Sequence, residues 1–400
     1  MNFISPDHFG RLGSGKVFNK DIIYCLRGSL GKAAIVTNID SGAIASSLVI
    51  VRSHSQILSR YIYYFLVSPF GFKQISEFDN GSAQPNLSAR SLSNFSLPLA
   101  PLNEQKRIAD KLDSILARVD ACRERLDRFP VILKRFRQSV LAAATSGKLT
   151  EEWRNTNCVT QIWTKVKLTD VGELNRGKSK HRPRNDPRLF GGNYPFIQTG
   201  DIAQSDGKIT AHHQTYSEFG LSQSKLWPSG TVCITIAANI ADTAILTYPV
   251  CFPDSVVGFI ADPGKCVPEF IKWSIDVISE HIESFAPATA QKNINLGILN
   301  DIYFLCPPIE EQTEIIRRVE ELFAYADRIE ARYQAARARI DKLTPAILAK
   351  AFRGELVPQD PSDEPASVLL ERIRASRAED AASPKPKRSL GKKIKATGKN

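Results

Sequence analysis

Arg176, Lys178, Lys180, Arg182 and Arg184, joined by His181 and Arg188, crowd a stretch that also holds Gly177 and Pro183, with only Asp186 against them. Guanidinium and ammonium groups contact phosphates, and a guanidinium also pairs with guanine O6 and N7, so the chemistry on offer is nucleic-acid recognition. A solvated charged loop has the same composition, and both readings stand at this level. Gln84 and Asn86 recur as Gln291 and Asn293, with Lys292 between the second pair. Amides in such turns either bind adenine or satisfy turn backbone. Arg27 and Lys32 flank a turn that contains Gly28 and Gly31, and complete the set of candidate DNA-contacting residues.

Catalytic chemistry finds no footing. Gly10 to Val17 almost spells a phosphate-binding loop, but Val17 stands where a magnesium-ligating hydroxyl belongs and no strand precedes it. The six histidines lack metal-site spacing, and there is no G-x-S-x-G elbow. The run Asp301 to Pro308 is superficially similar to the Asn-Pro-Pro-aromatic site of amino-methyltransferases, yet Cys306 replaces the asparagine that would grip a base. The expectation is a binding protein with no catalytic residues, no metal and no cofactor.

Whatever positions those loops must be built on two long helices. Ile108, Leu112, Ile115, Val119, Cys122, Leu126, Phe129, Leu133, Phe136 and Val140 alternate spacings of four and three. The same seam returns 207 residues later, without insertion, as Ile315, Val319, Leu322, Ala326, Ile329, Tyr333, Ala336, Ile340, Leu343 and Ile347. A 3.5-residue apolar repeat calls for a partner helix with the same repeat, which predicts an intramolecular antiparallel coiled coil. At about 1.5 Å per residue it would be a rod of roughly 50 Å. Pro130 predicts a kink or break in the first copy.

The flanking segments repeat as well. Asp21–Cys25, Lys32–Thr37 and Ala45–Val51 read as strands, Tyr61–Ser76 as a helix and Leu92–Leu97 as a further strand. Thr231–Ile236, Thr243–Leu246, Ser255–Ile260, Phe270–Phe285 and Leu299–Leu305 are their later counterparts. The fold class is α+β: two α+β domains separated by two long antiparallel helices. The expected boundaries are a first domain over 1–100, a spacer over 101–146, a connector over 147–162 and a second domain over 163–306. A second spacer over 307–357, a short helix over 358–380 and a basic tail over 381–400 follow. Trp163 to Thr210 has no counterpart in the first domain, which is expected to lack roughly fifty residues at its front. That leaves its reading of DNA in doubt, and a scaffold that reads a single site is the alternative.

Composition agrees with a globular chain: 400 residues, 42% hydrophobic, with no apolar run long enough to span a membrane and no signal pattern at the start. A cytoplasmic location is the default expectation. Seven scattered cysteines read as reduced thiols. Of the net charge of +11, the tail supplies +7 through Lys385, Lys387, Arg388, Lys392, Lys393, Lys395 and Lys399, so charge alone does not identify a DNA-binding protein.

The ordered motifs are more specific. Pro101-Leu102-Asn103-Glu104-Gln105 with Ile108, and Pro308-Ile309-Glu310-Glu311-Gln312 with Ile315, resemble the helix openings of specificity subunits of type I restriction-modification systems. Gly147-Lys148-Leu149-Thr150 with Trp153-Arg154, Trp163–Leu168, Tyr194–Ile197 with Gly200-Asp201-Ile202, Gly354–Pro358 and Asp360–Ala366 leading into Leu369–Ile373 are similar to that family too. The resemblance covers nearly the whole chain apart from the tail. It implies two target-recognition domains, each reading half of a split double-stranded DNA site, and no catalytic activity of the subunit's own. It also implies two docked adenine-methyltransferase subunits, which ATP-dependent restriction subunits can join. A 50 Å rod exceeds one DNA turn of about 34 Å, compatible with half-sites in successive grooves.

Overall fold

A computed structural model describes residues 4–78, 87–158, 162–236, 241–285 and 296–382. The chain forms two compact units, residues 1–127 with 334–400, and residues 128–333.

The first unit begins with α1 (Pro6–Arg11), β1 (Lys16–Phe18), β2 (Ile22–Cys25), β3 (Ala33–Ile35), β4 (Ser41–Ala43) and β5 (Leu48–Val51). β2 is the centre of an antiparallel sheet ordered β3-β2-β5, and β1 pairs antiparallel with β4. The two-residue alternation of β2 turns Ile22 and Tyr24 into the core. α2 (Ser59–Leu66) and α3 (Pro69–Phe78) follow, then α4 (Ala89–Ser93) and α5 (Leu102–Asp127). The single helix expected over Tyr61–Ser76 is two, because Pro69 has no N–H with which to continue α2. Gly71 makes the corner possible: a Cβ there would sit 2.5 Å from the Phe65 carbonyl oxygen.

The second unit contains α6 (Phe129–Thr145), α7 (Glu151–Thr156), β6 (Thr164–Lys167), α8 (Leu168–Val171), β7 (Gly172–Arg176), β8 (Phe190–Phe196), α9 (Thr199–Gln204), β9 (Lys208–Ile209), β10 (Gln214–Tyr216) and α10 (Glu218–Ser222). Then come β11 (Leu226–Trp227), β12 (Val232–Thr235), β13 (Thr243–Leu246), β14 (Val250–Cys251), β15 (Val256–Ala261), α11 (Pro268–Phe285), α12 (Leu296–Asn300), β16 (Tyr303–Cys306) and the first part of α13 (Ile309–Phe352). Its sheets are ordered β7-β15-β12-β13-β9 and β10-β8-β14-β11, with β16 pairing β6. β12 and β13 are buried along their whole length, as their unbroken apolar runs require.

The strand expected over Leu92–Leu97 does not form. α4 occupies 89–93, and residues 94–99 are irregular. Their counterpart β16 is a strand because β6 pairs with it, and residues 94–99 have no such partner strand among the described residues.

The long helices pair antiparallel within each unit. In the first, Ile108, Leu112, Leu348, Ala351 and Phe352 share one core, while Asp127 bonds Arg337 and Arg123 lies 3.7 Å from Asp341. The chain then ends in α14 (Ala366–Ala382), preceded by Asp363, which holds Arg107 at 2.6 Å. In the second unit, Val140 and Ala144 share a core with Ile315 and Val319, Phe129 stacks on Tyr333, and Arg137 bridges Asp327 and Glu330 at 2.7 and 2.8 Å. α5 ends at Asp127 and α6 starts at Phe129, so the helix breaks just before Pro130.

Of the seam positions, Ile108, Leu112, Val119, Leu133, Ile315 and Val319 are buried, and Ile115, Leu126, Leu322, Ile329 and Ile340 are half-buried. Leu343 is a correction: it is 43% exposed. Beyond Ile340 the inward positions advance to Thr344, Leu348 and Ala351, an eleven-residue step that brings a straight helix back into phase where the strict heptad drifts away. Cys122 is exposed as well, beside the Arg123–Asp341 contact. Leu112→Ala, at a fully buried position, is expected to lower stability by about 3 kcal/mol, read as a lower denaturant midpoint with unchanged slope.

Cys233, Cys251, Cys266 and Cys306 are buried in the second unit, and burial pushes the Cys251 and Cys306 thiols up to about 11 and Cys266 to about 12. Cys122 and Cys158 are exposed.

Candidate nucleic-acid interface

β7 delivers the chain to the basic loop. Gly177, its first residue, is buried: its N–H donates to the Val256 carbonyl at 2.8 Å, and a Cβ there would run into the Pro253 carbonyl oxygen and the Phe252 ring. Glycine is required by this close approach of two backbones. Further along, the Lys180 N–H donates to the Gln223 carbonyl at 3.1 Å, and Ser224 Oγ donates to the Lys178 carbonyl at 3.0 Å. The main chain of the loop is thus anchored to the residues that follow α10, which leaves its basic side chains at the surface.

Two carboxylates organise those side chains. Asp186 accepts from Arg188 at 2.8 Å and lies 2.7 Å from His181 Nε2, while its Oδ1 accepts the Arg188 backbone N–H at 3.0 Å. The Arg188 side chain and N–H, and then His181, hold this carboxyl well below the usual carboxylate range. Phe219 receives the ring of His181 edge-on at 5.1 Å and the Arg188 guanidinium over its face at 5.2 Å. Asp254, between β14 and β15, accepts twice from Arg184 at 2.7 and 3.0 Å and lies 3.8 Å from Arg182, and its main-chain carbonyl accepts from Arg176. Sequence spacing pointed to Asp186 alone. Asp254 lies 70 residues from Arg184, and only the β7–β15 pairing brings it to the loop.

Six cations therefore face two carboxylates, and four of the six are bonded to them or to Asp254's carbonyl. Lys178 and Lys180 are exposed and carry no ion pair among the described residues. The site can present two mobile ammonium groups for phosphate contact beside guanidiniums held in fixed directions, a division suited to affinity and base recognition respectively.

The other candidates fall elsewhere. Arg27 and Lys32 are exposed at the β2–β3 turn of the first unit, where the Lys32 carbonyl accepts the Cys25 N–H at 2.8 Å. Gln84, Asn86, Gln291, Lys292 and Asn293 lie outside the described residues. Gly10 and Lys16 of the phosphate-loop-like stretch are joined by a Lys16 Nζ bond to the Gly10 carbonyl at 3.1 Å, and Cys306 is buried in β16.

Comparison with known proteins gives a consistent result. The sequence profile of the type I restriction modification DNA specificity domain matches residues 3–127 and 161–336. The chain is 33% identical to the EcoKI type I restriction enzyme specificity subunit of Escherichia coli K12 over 353 residues, covering 82% of this chain and 74% of that one. It is 32% identical to the StySPI specificity subunit of Salmonella potsdam over 395 residues, covering 91% and 82%. Among solved structures, a chain from a study of assembly and conformational transition of a type I R-M system superposes with a TM-score of 0.69 at 19% identity, covering 86% of this chain and 85% of that one. The HsdS subunit from Thermoanaerobacter tengcongensis superposes with a TM-score of 0.59 at 19% identity, covering 85% and 82%. At that identity the two structures speak for the fold.

Proposed function

We propose a division of labour from the premise that this chain belongs to the type I restriction-modification DNA specificity family: the subunit reads DNA and leaves the chemistry to its partners. It is a non-catalytic specificity subunit, and it works with DNA and with methyltransferase and restriction subunits. The finer reading is that the second unit reads one half-site through the loop from Arg176 to Arg188, that two methyltransferase subunits dock on the two-fold repeated helices, and that restriction subunits join that complex in the cytoplasm. Among the described residues no helix is long and apolar enough to cross a membrane.

The observation that carries the half-site assignment is the pairing pattern of the loop. Its arginines are directed by Asp186 and Asp254, while Lys178 and Lys180 are exposed on an anchored backbone with no counter-ion among the described residues. Phosphate contacts release counterions and make affinity fall with salt. The double variant Lys178→Ala, Lys180→Ala, assembled with the methyltransferase, is expected to bind specific and non-specific DNA more weakly alike. The slope of log K against log salt should flatten by about 2, roughly one per lysine. An unchanged slope would remove these lysines from the interface.

A further inference from the structure

The basic loop is rich in donors and poor in acceptors. Lysine and arginine only donate, and Asp186 and Asp254 are engaged by the loop's own cations. Adenine and cytosine each present an amino group in the major groove, and reading it takes an acceptor. Beside the loop two exposed glutamines supply one: Gln198 Nε2 donates to Gln214 Oε1 at 3.0 Å. Among the described residues neither amide has another hydrogen bond, so Gln214 keeps its N–H donors and a second lone pair on its oxygen for a ligand.

Both glutamines stand on anchored backbone. Gln214 opens β10 opposite Phe196 of β8, and directly opposed residues share a face of the sheet. Gln198 lies two residues past Phe196. Its N–H donates to Asp201 Oδ2 at 2.7 Å and its carbonyl accepts the Asp201 N–H at 3.1 Å, which pins it at the start of α9. Ahead of β10, His212 Nδ1 lies 3.0 Å from the Tyr248 hydroxyl. At the other end of β10 the Tyr216 ring stacks on that of Phe196 at 4.0 Å, and Ser217 grips the end of the basic loop: its N–H donates to the Leu189 carbonyl at 2.9 Å and its Oγ to that of Arg188 at 2.6 Å. The three residues from Gln214 to Ser217 span at most about 10 Å. The glutamine pair and the end of the loop therefore fit within one major groove, about 12 Å wide.

We propose, on the reading that the second unit docks on DNA through its basic loop, that Gln214 reads an adenine in the same half-site. Its oxygen accepts from adenine N6 and its nitrogen donates to N7. Gln198 is a positioning residue: a lone exposed glutamine turns its amide freely, whereas the bond from Gln198 fixes the oxygen end of Gln214, so the amide meets the base already oriented.

The test uses the chain assembled with its methyltransferase subunits, and duplexes selected by binding from a random pool. Gln214→Ala is expected to make one adenine position of the selected sequence degenerate and leave the others intact, with affinity for the original site lower by about tenfold or more. Replacing that adenine by 7-deazaadenine, which carries C–H in place of N7, should weaken the unsubstituted complex about fivefold and the Gln214→Ala complex not at all. Gln198→Ala should keep the preference at that position and reduce it about threefold, with binding to random duplexes unchanged. An unchanged selected sequence for Gln214→Ala overturns the proposal, as does a loss shared equally by specific and random duplexes. If Lys178→Ala, Lys180→Ala still flattens the salt slope, only the adenine contact falls. If neither variant alters binding, the half-site reading falls with it.

Discussion

Glu311→Ala is expected to unfold the second unit at a temperature lower by about 10 °C, from a loss of roughly 3–5 kcal/mol. The carboxylate is wholly buried, and Thr150 Oγ1 at 2.6 Å, Trp163 Nε1 at 2.9 Å and Arg154 all donate to it. Removing it leaves a partly buried guanidinium without its counter-charge and two donors without an acceptor. That desolvation cost exceeds the modest net worth of the bonds themselves. The three donors tie the connector and the entry to β6 onto the start of α13, so the loss falls where the domain joins its spacer. All four tryptophans, Trp153, Trp163, Trp227 and Trp273, lie in residues 128–333, so indole fluorescence during heating reports on this unit. Glu311→Gln keeps one acceptor and should lose about half as much. A midpoint within 2 °C of the unsubstituted chain would mean, by the same scaling, that the buried carboxylate contributes little.

Gly177→Val has the second large expected effect, on DNA rather than on heat. The backbone of Gly177 lies against Pro253 and Phe252, with no room for a side chain, and it is the first residue of the basic loop. A branched side chain must push the start of the loop away from β15, moving Arg176, Arg182 and Arg184 off the Asp254 groups that direct them. Each well-formed base contact discriminates by about 1–3 kcal/mol, so displacing two is expected to lower specific binding on the order of a hundredfold. Non-specific binding, which depends on charge and not on direction, should change little. Competition between specific and random duplexes separates the two quantities. A parallel fall in both would show that the substitution acts by destabilising the unit.

What the sequence disclosed depended on how local the cause was. The seam and its 207-residue repeat were legible because a helix writes its inward face into residue spacing, and the cation cluster was legible because it is contiguous. Asp254 was not, since its partnership with Arg184 exists only after β7 and β15 pair. The strand expected over Leu92–Leu97 fails for a similar reason: strand formation depends on a neighbour, and apolar residues at the right spacing cannot supply one. Leu343 shows the limit of the seam itself, because a heptad extrapolated along a nearly straight helix drifts out of register within a few turns. The break at Pro69 was readable in principle, since a proline at the ninth position of the expected helix interrupts it whatever the periodicity.

The uneven burial of the thiols makes the chain a ready spectroscopic specimen. Cys122 belongs to the first unit and Cys158 to the second, both exposed, whereas burial keeps Cys233, Cys251, Cys266 and Cys306 protonated at neutral pH and shielded from reagents. With half-buried Cys25 replaced by serine, mild alkylation should therefore place a donor and an acceptor dye on one molecule while the four buried thiols stay native. Energy transfer between the dyes would then follow the separation of the two units as DNA and partner subunits are added.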